Sequence, residues 1–194
     1  MNSKQFLYIG AGVLVLAIVL VLAKPYIFPE EKEFHIHADF AVYLNGEKVD
    51  FAKEKYMSSE YTRLSYFFHL HDLDGNVMHM HLEGLKLGEF FGSIGMRFFE
   101  ECFVLDNGQT FCEQTDNKKL RMFVNGKENF EYDNYVFNDL DRILITYGNE
   151  SESEIQEQIN SVTDNACIQS AKCPERGTPS DESSCSVLNG CSAT

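Results

Sequence analysis

The chain has 194 residues, 44% of them hydrophobic, with a formal net charge of −14. That length suits one domain of ~100–150 residues with appendages. The acidic balance excludes nucleic acid and anionic lipid surfaces as expected partners, because both recruit basic patches, and it is compatible with attracting cations.

Residues 6–23, FLYIGAGVLVLAIVLVLA, form an uncharged apolar run close to the ~20 residues needed to cross a bilayer. A signal peptide has a shorter apolar core of ~7–15 residues, so residues 1–24 are expected to be a retained transmembrane anchor, with cleavage after VLA as the alternative. Lys4 and Lys24 flank the run and leave the positive-inside signal nearly neutral. All six cysteines follow it, at Cys102, Cys112, Cys167, Cys173, Cys185 and Cys191, with no CxxC pair among them. An even set beyond an export signal implies disulfides and an extracytoplasmic domain held at the membrane by its anchor. Local pairing would join Cys102 with Cys112, Cys167 with Cys173 and Cys185 with Cys191, although spacing alone leaves the connectivity open.

Residues 25–33 carry proline and a charge cluster and read as a stalk, so the folded domain is expected over 34–148. Alternating apolar and polar residues around Asn45-Gly46 predict a hairpin, with strands near 35–44 and 47–52. A second hairpin is expected around Asp74-Gly75. Residues 87–94 fit a short amphipathic helix ending at Gly95, with Phe90 and Phe91 in the core. Asn107-Gly108, flanked by Cys102 and Cys112, signals a third hairpin and Asn125-Gly126 a fourth. A final apolar strand follows near 141–147. These elements define an α+β fold with a mixed or antiparallel sheet. Over 149–166, Ser151 and Glu154 suggest a capping box, and Ile155, Ile159 and Val162 form one helical stripe. Residues 167–194 read as a cysteine-rich tail ordered only by its disulfides.

All six histidines fall in three His-x-His pairs: His35/His37, His69/His71 and His79/His81. On a strand, residues i and i+2 share a face, so each pair projects two imidazoles side by side at chelating distance. Asp39 and Glu83 have matching parity and are further candidates, as ligands or as partners that orient an imidazole. The connection around Asp74-Gly75 decides whether four histidines cooperate. An even loop puts the two pairs on opposite faces. An odd loop, with Gly75 or Asn76 in the left-handed position, sets His71 opposite His79 and His69 opposite His81, and is the expected form. Met78 and Met80 alternate with the histidines and should point into the core. An all-imidazole set suits copper or zinc.

The segment LRMFVNGKENFEYDNYVFNDLDRILITYG (120–148), preceded by the helix KLGEFFGSIGM, resembles the closing half of β-grasp proteins, especially the ubiquitin-like sulfur carriers. The resemblance spans 78–148 and implies a β-grasp-like mixed sheet. Sulfur carriers end in a Gly-Gly tail that is activated at its terminus, whereas Gly148 here leads into Asn149 and a further segment, so the fold is implied and the activity is not. With HIHADF (35–40), the histidine clusters, KLGEFF (86–91) and DRILITYG (141–148), the whole chain also resembles a group of uncharacterised membrane-anchored microbial proteins, mainly archaeal, which implies an extracytoplasmic domain.

Three functions follow as expectations. The first is a membrane-anchored, extracytoplasmic protein that binds copper or zinc through the three pairs for capture, delivery or buffering. The second is a metal-dependent enzyme with a histidine-ligated open position, for which Glu83 and Asp39 are the candidate bases, although no nucleophile motif or phosphate loop supports it. The third is a non-catalytic surface or assembly subunit whose histidines form a structural or pH-sensitive cluster.

Overall fold

The computed structural model describes residues 14, 18–22, 34–58, 64–113, 117–180, 185–186 and 190–191, the last four by their backbone. The chain divides into two units, 1–33 and 34–194. In the first, Leu14 and residues 18–22 are helical and exposed, while the rest of the expected anchor and the stalk lie outside the described residues. Among the described residues no helix is long and apolar enough to cross a membrane.

In chain order the second unit contains β1 (Ile36–Leu44), β2 (Glu47–Lys48), β3 (Phe68–His69), β4 (Val77–Met80), α1 (Leu87–Ser93), β5 (Arg97–Phe99), β6 (Cys102–Val104), β7 (Thr110–Cys112), β8 (Lys119–Val124), β9 (Lys127–Glu128) and β10 (Arg142–Gly148). Then come α2 (Glu152–Ser161), α3 (Ala166–Gln169), β11 (Cys185–Ser186) and β12 (Gly190–Cys191). The main sheet runs β3-β4-β1-β10-β8-β9, with β2 on the end of β1. Its central pair, β1 and β10, is parallel from Asp39↔Arg142 to Leu44↔Tyr147, and every other pairing in it is antiparallel. The sheet is therefore mixed, one of the two forms that the α+β reading left open. A smaller antiparallel sheet, β5-β6-β7, places Cys102 opposite Cys112, and the two are disulfide-bonded.

The Asn-Gly signals at 45–46 and 125–126 fold as expected. Asn45 and Gly46 take φ of 54° and 83°, and Asn125 and Gly126 take 52° and 77°, the left-handed pairs of a type I′ turn. The strand after the first turn is shorter than the expected 47–52. It ends at Lys48 because Asp50 accepts a hydrogen bond from the Ala52 amide and Phe51 turns into the core. Strand β5 has no counterpart in the sequence reading.

Alternation separates the two faces of the main sheet. Ala38, Phe40, Val42, Leu44, Met78, Met80, Leu120, Met122, Ile143 and Ile145 all turn to one side, where α1 and the small sheet cover them. Leu87, Phe90 and Phe91, at helical spacing, bury the inner face of α1 among Phe40, Phe51, Phe68 and Phe103. Gly95, at φ 79°, supplies the left-handed residue that stops the helix. The opposite face carries a second, smaller core in which Ala41, Phe123 and Leu144 meet Ile155 and Val162 of the C-terminal segment. There α2 begins with the Ser151/Glu154 capping box, and Ser151 N donates to Glu154 Oε2 at 2.7 Å.

α2 stops at Ser161, short of the expected 166. The described part of the expected tail, 167–180, is tied to the domain by more than its disulfide. α3 forms across its start, and the Cys167–Cys173 disulfide closes the following turn. Cys185 faces Cys191 across the β11–β12 backbone pair, and their side chains lie outside the described residues.

Candidate metal centre

The half of the second face left open by the C-terminal helices is occupied by histidine. β4 lies between β1 and β3. His37 pairs with His79 on one side and His69 pairs with His79 on the other, so three imidazoles stand in a row across three strands. His35 and His81 lie one step further along, since Ile36 pairs with Met80. In this way all six histidines come to one region of one face, and Met78 and Met80 are fully buried on the other.

The register corrects one expectation. The connection 70–76 has an odd number of residues, so the parity is the expected one, but the pairing is displaced by two positions and His69 faces His79 instead of His81. The cause lies in the loop. Asp72 and Leu73 hold the positive φ values (55° and 57°) that had been expected of Gly75 or Asn76. Gly75 serves a different need: a Cβ there would lie 2.4 Å from Ala52 N and 2.6 Å from Phe51 C, so only glycine allows the loop to lie on that backbone.

Ring centroids show how tightly the layer is built. His35 lies 4.3 Å from His37 and 4.2 Å from His81, which it stacks upon. His37 meets His79 edge-on at 4.6 Å, His71 meets His79 at 4.0 Å, and His69 stacks on His81 at 5.0 Å. His37, His69 and His79 are 1–2% exposed. His35, His37 and His79 have ligand atoms all within 4.8 Å of one another, with His35 the most open of the three. A tetrahedral zinc with Zn–N of ~2.0–2.1 Å holds its nitrogens ~3.3 Å apart, so the triad closes on an ion by side-chain movement of about 1 Å. The donor set fits zinc or copper, which both accept imidazole.

Carboxylates and hydroxyls hold this layer from outside. Asp39, on the same face of β1, is 1% exposed, and its oxygens accept hydrogen bonds from Thr163 Oγ1, Asn165 N at 2.8 Å and Ala166 N at 2.9 Å. Burial raises its carboxyl above the ordinary value, against the lowering effect of those donors. Its oxygens anchor the start of α3. Glu83 lies in an exposed turn beyond the end of β4, outside the strand alternation that made it a candidate.

Sequence reasoning did not find Asp139, Ser170 or Asp72. Asp139 Oδ1 accepts from the His37 amide at 3.0 Å and from Ser170 Oγ at 2.6 Å, and its Oδ2 pairs with Lys172 Nζ at 2.6 Å. Burial pushes its carboxyl up, but Lys172, Ser170 and the His37 amide together outweigh burial and hold it below the ordinary value. Ser170 Oγ in turn lies 2.7 Å from His37 Nδ1. His71 Nδ1 is 2.9 Å from Asp72 Oδ2, and its Nε2 is 3.2 Å from His79 Nδ1. The adjacency of His71 and Asp72 was visible in the sequence. The arrival of Ser170 from 133 positions away was not.

Compared with protein-family models, curated proteins and solved structures, the chain matches none.

Proposed function

We propose that this chain is a membrane-anchored, extracytoplasmic transition-metal-binding protein that holds copper or zinc on the face of its mixed sheet, for capture, delivery or buffering. The observation that carries the reading is the His35, His37 and His79 triad, embedded in a layer made from every histidine of the chain. Scattered histidines have no physical reason to collect on one half of one face. Three imidazoles of a buried layer make a preorganised donor set for a borderline metal ion. Binding is favoured over catalysis because the carboxylate nearest the triad on its own strand, Asp39, already serves three donors of the C-terminal segment.

The anchor rests on the apolar run 6–23, and the extracytoplasmic side on the Cys102–Cys112 and Cys167–Cys173 bonds, which persist in oxidising compartments. The β-grasp-like reading of the sheet rests on the parallel β1–β10 centre, flanked by β4 and β8, with α1 packed on one face.

The test is elemental analysis of the full chain, extracted in detergent and purified without a polyhistidine tag. The expected result is about one equivalent of zinc or copper per chain, lost in a variant carrying His35→Ala, His37→Ala and His79→Ala. Equal trace amounts in both proteins would remove the reading.

A further inference from the structure

Two chains of hydrogen bonds enter the histidine layer from opposite sides, and each ends in a carboxylate. At one side, Asp139 is paired with the Lys172 ammonium and has no proton to give, so Ser170 Oγ must donate to Asp139 Oδ1. With its only proton used there, the hydroxyl can meet His37 Nδ1 solely as an acceptor, and Nδ1 must carry the hydrogen. At the other side, the Asp72 carboxylate accepts from His71 Nδ1. A neutral His71 then has its lone pair on Nε2 and accepts from His79 Nδ1, which must also carry its hydrogen.

The third member of the row obeys the same logic more simply. His69 Nδ1 lies 3.2 Å from the Tyr66 carbonyl oxygen, which can only accept. Three separate partners, a hydroxyl, an imidazole and a carbonyl, thus demand the same tautomer of His37, His79 and His69.

We infer that the row His37–His79–His69 is locked as Nδ1–H tautomers, that the metal is taken through Nε2 of His37 and His79, and that Ser170 and His71 are positioning residues. This rests on the proposed metal-binding reading and adds to it the ligand atoms of His37 and His79 and a positioning role for His71. His71 uses both ring nitrogens on Asp72 and His79, so it orients a ligand and is not one. A partner on the second nitrogen fixes the direction of the ring and raises the basicity of the nitrogen that binds, which is why losing such a partner typically weakens metal binding ~10–100-fold. Ser170 lies inside the turn closed by Cys167 and Cys173, so the C-terminal disulfide holds a partner of the site.

The experiment uses the full chain in detergent micelles, with 15N-labelled histidine, at about pH 8. In the metal-free protein, long-range proton–nitrogen spectra are expected to show Nδ1–H at His37, His69 and His79, and added zinc should shift Nε2 of His37 and His79. Ser170→Ala should release the tautomer at His37 and weaken zinc binding ~10–100-fold, with Ser170→Thr restoring both. His71→Ala should do the same at His79. An Nε2–H tautomer at His37 or His79, or wild-type zinc affinity in both His71→Ala and Ser170→Ala, would overturn the inference. A wild-type protein that takes up no metal but shows the three tautomers removes the proposed function and leaves the tautomer assignment standing.

Discussion

Met80 and His79 are neighbours in β4, equally withdrawn from water at 0% and 1% exposure, and they point to opposite faces of the same sheet. Met80 is satisfied by contact alone, because a thioether packs wherever its volume fits. His79 has two ring nitrogens to satisfy, and its neighbour His71 reaches one of them. Equal burial therefore imposes different demands. The methionine face depends on volume, and the histidine face depends on the identity and placement of groups drawn from five separate stretches of chain.

The largest effect should come from the volume-dependent face. Met80→Ala is expected to cost ~2–5 kcal/mol in a denaturant midpoint, while metal content per folded chain stays at the wild-type value. Loss of metal in folded Met80→Ala protein would show that the two faces are not independent. Removing the C-terminal disulfide, with Cys167→Ser and Cys173→Ser together, should cost about 2 kcal/mol, because it closes a loop of sequence separation 6. Hydrogen exchange should rise in α3 and at the His37 amide while the methionine face keeps its protection. Uniform loss across both faces would contradict that division.

Gly75→Ala is expected to cost ~1–3 kcal/mol, since the new Cβ must push the loop off the Phe51–Ala52 backbone. Its specific signature is loss of the His71–His79 contact, read from the His79 ring resonances. The smallest effect lies at the rim of the larger core, where Tyr56 packs on Phe51. The Lys55 ammonium holds the Asp106 carboxyl below its ordinary value of 3.8, with Tyr56 OH as a second donor. A depressed folded value means that the pair's contribution is complete above the ordinary value and disappears as pH falls through the lower one. Asp106→Asn should flatten that part of the acid-unfolding curve and leave the histidine layer unchanged.

Much of the architecture was legible in the residues because it rests on local rules. Asn45-Gly46 and Asn125-Gly126 encode their turns, period-two alternation sends Met78 and Met80 inward, and helical spacing buries Phe90 and Phe91. Local cysteine pairing at Cys102–Cys112 and Cys167–Cys173 follows from short loops. The gathering of three pairs on one half-face was legible only as parity. The register itself escaped, because Gly75 answers to a tertiary contact with Phe51 and Ala52 that turn chemistry does not encode. Ser170 and Asp139 escaped for a related reason: a serine in a polar segment looks like any other until the chain returns to β1. For Asp39 the alternation of β1 gave the placement on the histidine face, while the three donors its oxygens meet at the start of α3 lie too far along the chain to be read from it.

The partners of β1 also arrive in a particular order. A chain synthesised only as far as Tyr147 already contains all six histidines, both central strands of the sheet and the small disulfide sheet. It still lacks Thr163, Asn165 and Ala166 for Asp39, and Ser170 for His37, which lie 124 to 133 positions downstream of the groups they meet. The imidazoles are thus assembled early in biosynthesis and oriented late, once residues 163–170 have emerged and reached β1.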